Sequence, residues 1–316
     1  MADCSGLFNT FHSDISLSTA KRTKLKNSKE ALRTRVRNYF SDNHPEYEPQ
    51  FYIQGSYKMK TTIRTKDDVC DLDDGVYFFR EPDVTPTTLQ DWVRAAVDGF
   101  TNQKPEHRKK CVRTIFVNDY EIDMPVYYKV DGKSYQIAVK NTGWKDDDPK
   151  AMVDWFNAKK DKDGQLLRIV KYLKAWCDYK RNRMPSGLAM TILASNAKGN
   201  IVFNERDDIT LRDIIKEIKK ALDKEFKCAV PVTPFDDLFA DYDDDRQDYF
   251  KTSLSEFIAD ADEALKETNQ RKASRLWSKH LGGRFPEGEN INESASQRSS
   301  SLVAGIGSSS PYGRRK

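Results

Sequence analysis

Asp71 and Asp73 stand two apart within Val69 to Phe79, a stretch whose alternation and β-prone Val76, Tyr77, Phe78 and Phe79 predict a strand. Side chains two apart on a strand leave from the same face, so the two carboxylates project together. A third carboxylate, Asp123, lies in Tyr120-Glu121-Ile122-Asp123-Met124-Pro125-Val126, part of a later predicted strand. If those strands are neighbours, three like charges converge, which is costly unless cations neutralise them. Hard divalent ions with oxygen ligands, Mg²⁺ or Mn²⁺, are the natural counter-charges. Two such ions ~3.5–4 Å apart can activate an attacking hydroxyl and steady a leaving pyrophosphate. An isolated Asp-x-Asp is ordinarily a solvated pair, so its surroundings decide. Fifteen residues before Asp71 stands Gly55-Ser56, at the end of a predicted strand. Glycine permits close backbone approach, and Ser56 offers both an N–H and a hydroxyl to a phosphate. Lys58, Lys60 and Arg64 follow and would welcome an anion.

These residues need elements to hold them. Leu17 to Phe40 is a predicted long helix, with Leu25, Leu32 and Val36 at helical spacing. Its remaining faces carry Lys21, Arg22, Lys24, Lys26, Lys29, Arg33, Arg35 and Arg37 against one acid, Glu30; the choice is between a solvated face and a phosphate-contact surface. Strands are predicted at Phe51–Ile53, Val69–Phe79, Val112–Val117, Glu121–Val130 and Ser134–Val139, with a helix at Thr88–Phe100. Strands interleaved with helices indicate a mixed α/β sheet. From Pro149 onward the chain turns helical: Pro149–Ala158, Asp163–Arg181, Ser186–Ala194, Thr210–Phe226, Asp248–Glu267 and Asn269–Leu281. The expected organisation is an α/β domain over 1–150 with its spine helix, a helical domain over 151–286, and a disordered Ser/Gly-rich tail over 287–316. The acidic run Asp241 to Asp245 reads as a solvated loop, and Arg108 to Lys110 as surface.

Composition narrows the function class. The 316 residues are 38% hydrophobic and 32% charged, enough for a core beneath a wet surface. Fifty-three basic against 49 acidic residues leave +4, so the totals do not favour a nucleic-acid binder. No apolar run reaches the ~18 residues of a membrane span. Met1-Ala2-Asp3-Cys4-Ser5-Gly6 lacks a signal-peptide pattern, which predicts a cytoplasmic protein. Five scattered cysteines without a Cys-x-x-Cys argue for a reducing compartment and against a cysteine zinc site, and four histidines disfavour a His-based metal hydrolase.

Gly-Ser, a paired Asp and a third Asp on another strand, in that order, resemble the DNA polymerase beta-like nucleotidyltransferases. Cys70-Asp71-Leu72-Asp73-Asp74-Gly75-Val76-Tyr77-Phe78 is similar to the active-site strand of the bacterial cGAS/DncV-like nucleotidyltransferases (CD-NTases). Gly143 to Lys150 with Trp155-Phe156 resembles their domain junction. Arg168 to Trp176, then Met184-Pro185-Ser186-Gly187-Leu188, resembles the helical core shared with oligoadenylate synthases, and Ala273 to Trp277 with Leu281 to Pro286 their closing segment. The likeness covers residues 50 to 286. The Gly-Ser to Asp spacing is slightly longer than in many superfamily members, and Asp74 fills a slot that is usually apolar outside the DncV-like branch.

The resemblance implies a polymerase beta-like mixed sheet followed by a helical, oligoadenylate-synthase-like domain. It implies Asp71, Asp73 and Asp123 as catalytic ligands of two Mg²⁺ or Mn²⁺ ions, with Asp123 also near the attacking ribose hydroxyl. Gly55, Ser56, Lys171, Lys174 and Ser186 would bind nucleotide, Lys171 being the better match for the triphosphate lysine; Ser186 also suits a helix N-cap. Arg113 is a candidate for phosphate or base, and Tyr77 for base stacking or core. The implied activity is a cyclic di- or trinucleotide synthase using ATP and/or GTP in anti-phage defence (CBASS), with a separately encoded effector that senses the product. Linear oligonucleotide synthesis or RNA-end addition, with Lys21–Arg37 as an RNA platform, and a silent nucleotide- or RNA-binding module are the alternatives. Some members are joined through a terminal glycine by a ubiquitin-transfer-like partner; Pro311-Tyr312-Gly313-Arg314-Arg315-Lys316 would need trimming first.

Overall fold

A computed structural model describes residues 1–202 and 204–292. In chain order its elements are α1 (Ser5–Ile15), α2 (Thr19–Asn43), β1 (Gln50–Gln54), α3 (Gly55–Met59), β2 (Cys70–Phe78), α4 (Pro86–Val97), β3 (Glu106–His107), β4 (Cys111–Phe116), β5 (Tyr120–Tyr128), β6 (Gln136–Val139) and β7 (Gly143–Asp146). The helical half follows: α5 (Pro149–Lys159), α6 (Gln165–Lys180), α7 (Gly187–Lys198), α8 (Asp207–Lys224), α9 (Asp244–Lys266) and α10 (Gln270–Leu281). None of the described helices is long and apolar enough to cross a membrane.

The described strands form one mixed sheet in the order β1-β2-β5-β4-β3, with β6 on β5 and β7 on β6. β1 runs antiparallel to β2, and β2 parallel to β5. Leu72, Val76 and Phe78 of β2 pack with Ile122, Met124 and Val126 of β5 beneath Leu25, Leu32, Val36 and Phe40 of α2. The apolar spacing on the spine helix thus faces the sheet as its periodicity requires. Much of the basic face of α2 is already paired. Lys21 and Lys24 meet Asp119 at 3.4 and 2.7 Å, and Arg35 donates to the carbonyls of Ala96 and Asp98. Arg33 grips Asp74 with Nε–Oδ2 2.7 Å and Nη2–Oδ1 2.5 Å. Asp74 is fully buried, so the polar residue in this usually apolar slot clamps the spine helix to the active-site strand.

A second core occupies the helical half, built on α6 with α7, α8, α9 and α10 around it. The first fifteen residues belong to this core, not to the α/β unit that the 1–150 boundary assigned them. Phe8, Phe11 and Ile15 of α1 are buried there, and the Phe8 ring centroid lies 5.2 Å from those of Tyr172 and Trp277 and 4.9 Å from that of Phe285. An apolar i, i+3, i+7 stripe must be covered, and the helical core offers the apolar partner. A second departure concerns the tail. Residues 287–292 run beside the start of α10, where Gln270 N donates to Ile291 O at 3.1 Å and Arg271 N to Glu289 O at 2.9 Å. The first-turn N–H groups of a helix have no intrahelical acceptor, and this strand-like segment supplies one. Residues 293–316 of that expected tail lie outside the described residues. The acidic run is structural as well as solvated, since Asp243 caps α9 by accepting from Arg246 N at 2.8 Å.

Candidate active site

β2 and β5 are parallel neighbours, and their register sets Asp73 opposite Asp123 and Asp71 opposite Glu121. The i, i+2 pair Asp71 and Asp73 opens into a cleft of about 500 Å³, Asp71 exposed and Asp73 partly buried. β1 pairs Gln54 with Asp73, and the chain then turns sharply into α3. Gly55, at φ +60°, makes that turn against Asp73: a Cβ added there would lie 2.0 Å from Asp73 Oδ2. Only glycine fits, both for the left-handed backbone and for the missing space. Gln54 is held from behind by a buried chain in which Tyr77 Oη donates to Gln54 Oε1 (2.8 Å), Gln54 Nε2 to Tyr127 Oη (3.0 Å), and Tyr127 Oη to Asp147 Oδ2 (2.8 Å). Tyr77 stacks on Tyr127 at 4.6 Å and is a core residue, the second of the two roles open to it.

The cleft has two lobes. The larger is lined by Gly55, Ser56, Thr62, Asp71, Asp73 and Lys174, and continues to Asp178, Arg181 and Asn182. A second hollow of about 230 Å³, lined by Lys110, Asp147, Asp148 and Asp236 among others, shares Gly55, Met59, Asp73 and Leu188 with the first. The two hollows meet at the Gly55–Asp73 contact. Lys110, read from the sequence as surface, brings a cation to the smaller lobe.

Several candidates take other positions than expected. Asp123 sits beside Asp73 but is held by Arg113, with Nε–Oδ1 and Nη2–Oδ2 both at 2.7 Å, and Arg113 also pairs with Glu121. Among the described residues no three His, Cys, Asp or Glu side chains are gathered around one point, so the three-carboxylate convergence is incomplete here. The reason is register: β4 sets Arg113 opposite Asp123, and a guanidinium fork matches a carboxylate edge. Lys171, the expected triphosphate lysine, does not line the cleft. Its Nζ donates to Ser16 Oγ at 2.9 Å and lies 3.5 Å from His12 Nε2, under α1. Lys174 reaches the cleft, donating to Thr61 Oγ1 at 3.0 Å and lying against Gly187. Both lysines are buried. Ser186 caps α7, accepting from Ala189 N at 3.2 Å; it is exposed, and its neighbours Pro185 and Gly187 line the cleft. Ser56 Oγ lies 2.7 Å from Thr62 Oγ1 at the cleft wall. Arg64, expected to attract an anion, is engaged with Ser16 O and Asp68.

Burial, with Asp71 and Asp123 alongside, pushes the Asp73 carboxyl up to about 8. Burial also pulls Lys174 down to about 8, against the attraction of Asp71 and Asp73. Lys171 falls to about 8 by burial and by the charges of Arg22 and Lys174. Burial thus makes an uncompensated carboxylate charge at Asp73 costly to hold on the cleft floor. An all-oxygen set of carboxylates short of positive charge suits a hard divalent cation. Asp71 and Asp73 fit one directly, and Asp123 fits as it gives up part of its arginine fork.

Comparison with known proteins bears on the family and the fold. Residues 49–127 match the family model described as the nucleotidyltransferase domain of cyclic GMP-AMP synthase DncV-like proteins. A cyclic GMP-AMP synthase of Escherichia albertii is 30% identical over 252 residues, covering 70% of this chain and 55% of that protein. The chain thus spans about half the length of the curated relatives it matches. Among solved structures, Vibrio cholerae DncV cyclic AMP-GMP synthase in complex with nonhydrolyzable GTP is similar with a TM-score of 0.79 at 18% identity, covering 89% of this chain and 95% of that one. The 3'-deoxy GTP bound form of Escherichia coli DncV gives 0.75 at 20% identity, covering 86% and 93%. These likenesses carry the fold: a nucleotidyltransferase mixed sheet with a helical second half. With the family match laid over β1, α3 and the Asp71–Asp73 strand, the chain belongs to the bacterial cGAS/DncV-like nucleotidyltransferases.

Proposed function

We propose that this chain is a nucleotidyltransferase that takes ATP and/or GTP, joins them with loss of pyrophosphate and closes a cyclic di- or trinucleotide. The observation that carries the reading is the two-lobed cleft whose halves meet at Gly55 and Asp73. A transfer between two nucleotides needs two adjoining berths with the catalytic carboxylate at the seam. The larger lobe, with Ser56 and Lys174, suits a donor triphosphate, and the smaller suits an acceptor. The nonhydrolyzable GTP and the linear intermediate 5' pppA(3',5')pG held by Vibrio cholerae DncV support the substrate class.

In this reading Asp71, Asp73 and Asp123 hold two Mg²⁺ or Mn²⁺ ions, which when bound neutralise the polyphosphate and favour the ionised ribose hydroxyl. The Gly55 backbone and the Ser56 N–H and hydroxyl cradle the donor phosphates. The acceptor hydroxyl attacks the α-phosphorus in line, its proton passing toward Asp123. The bond to the bridging oxygen breaks and pyrophosphate leaves, its charge balanced by Lys174. Positioning and preorganised charge supply most of the acceleration. Domain roles follow: residues 16–148 carry the carboxylates and the phosphate cradle, and the helical part, with α1, closes the cleft and supplies Lys174. By family resemblance the product is a cytoplasmic signal for a separate effector in anti-phage defence. A ubiquitin-transfer-like partner would act on residues outside those described.

The test incubates the purified full chain with α-labelled ATP, GTP or both and Mg²⁺, then phosphatase and mass spectrometry. A cyclic product keeps its label, and Asp73→Ala abolishes it. A linear product keeps its internal label but loses its 5′-terminal phosphates to phosphatase, a mass change that indicates the linear synthase or RNA-end reading. No product from any mixture, with function intact in Asp73→Ala, indicates a silent binding module.

A further inference from the structure

One cation of the larger lobe has no part in the chemistry above. α6 sends Lys174 and Asp178 into the cleft, and Arg181, just past its C-terminus, completes an i, i+4, i+7 row along one side. Seven residues are two turns, so Arg181 lies about 10 Å further along the axis than Lys174. Lys174 sits in the field of Asp71 and Asp73. Arg181 is paired instead with Asp67, whose side chain is 61% exposed, and its Nη2 stands 3.8 Å from Asp178. Its Nε is buried and has no hydrogen-bond partner among the described residues. A buried donor left idle is costly, so it marks a place where a partner is absent.

The backbone points the same way. Arg181 adopts φ 50°, ψ −171°, and Asn182 follows at φ 52°. Two successive side-chain-bearing residues in the left-handed half of conformational space are uncommon and cluster at ligand-binding turns. This turn carries both residues to the cleft wall. The pair with Asp67 is largely solvated and so contributes little, which leaves the guanidinium exchangeable. A guanidinium fork matches two oxygens of one phosphate.

We propose that Arg181 grips the terminal phosphate of the nucleoside triphosphate in the larger lobe, trading Asp67 for two phosphate oxygens, so that the site selects triphosphates over diphosphates. The inference rests on the nucleotide reading of the cleft. Phosphates nearest the reacting centre fall to Ser56 and Lys174, and the one furthest along falls to Arg181. Asp67 keeps the fork in place while the lobe awaits its ligand.

The experiment measures binding of α,β-methylene-ATP, ADP and AMP to the full chain with Mg²⁺ by calorimetry. Arg181→Ala is expected to weaken the triphosphate analogue about tenfold or more while leaving ADP and AMP within about twofold. Arg181→Lys, which keeps charge without the fork, recovers only part of the loss, and Asp67→Ala tightens the triphosphate analogue alone. Melting of each variant without nucleotide separates a folding defect from a contact defect; Arg181→Gln replaces the alanine variant if that one melts early. Equal weakening of all three ligands, or none, overturns the role of Arg181 while the nucleotide reading stands. Wild-type protein that binds none of the three overturns both.

Discussion

Gly55→Ala tests the contact on which the site is built. The new methyl would stand 2.0 Å from Asp73 Oδ2 and 2.9 Å from its Cγ, so one of them must move. Asp73 is on an interior strand, paired with Gln54 on one side and Asp123 on the other, and the next residue is clamped by Arg33. The backbone is held, and the carboxylate has to leave its rotamer. The left-handed backbone at φ +60° costs an alanine about 1–2 kcal/mol. Displacing the Asp73 side chain adds about 0.5–1.5 kcal/mol. The sum, about 1.5–3.5 kcal/mol, should lower the melting temperature of a chain this long by about 2–5 °C. Nucleotide turnover should fall much further, because Asp73 no longer stands at the seam of the two lobes. A double-mutant cycle separates the two causes. In an Asp73→Ala background the clash is gone and only backbone strain remains, so Gly55→Ala should cost about 1–2 kcal/mol there, with a coupling of about 1 kcal/mol. Thermal or urea denaturation of the four proteins reads the cycle. An identical cost in both backgrounds, or an unchanged melting temperature in the single variant, would refute the argument.

Arg33→Ala strands a fully buried carboxylate at Asp74 and is expected to cost about 3–5 kcal/mol in denaturation, whereas Arg33→Ala with Asp74→Leu recovers most of it; a mild single variant would mean that Asp74 has other support. Lys174→Met should weaken triphosphate binding about tenfold or more, and Lys171→Met should leave it within about twofold, measured by calorimetry with a non-hydrolysable analogue; the reverse order would restore Lys171 as the phosphate ligand. Lys171 also sets a pH dependence. Its folded-state value of about 8 lies below the ordinary lysine value of 10.5, so between those limits the unfolded chain binds the extra proton and stability rises with pH. Wild-type protein should therefore gain melting temperature relative to Lys171→Met from pH 8 toward pH 10, and a flat difference would show that this lysine is not desolvated. His12, drawn down to about 4 by burial and by Lys171, acts at the acid end: stability should fall as pH drops from 6.5 toward 4, and His12→Asn should remove that loss.

How much was legible in the chain follows from the range of each cause. Asp71 and Asp73 share a face because strands have a period of two, and Gly55-Ser56 marks a close turn because only glycine tolerates it; both are local facts, and both stand in the structure. The period-3.6 stripes likewise place α2 and the helices from α5 to α10 to within a few residues. Phe8, Phe11 and Ile15 carried the same signal for α1, at a spacing that periodicity could have found. Other features depend on contacts across the chain. Lys171 and Lys174 lie one turn apart on the same helix, and no local pattern says which faces the cleft. α1, reaching over to offer Ser16 across 155 residues, takes Lys171, and the loop offering Thr61 across 113 residues leaves Lys174 at the cleft wall. Whether Asp123 joins its partners or Arg113 depends on the register of β4 against β5, and Arg181 acquires its position only when α6 and the segment bearing Asp67 meet. Residue type and spacing determined which chemistry this protein carries; tertiary packing decided which charged side chains face it, because a buried cation goes where distant segments supply its oxygens.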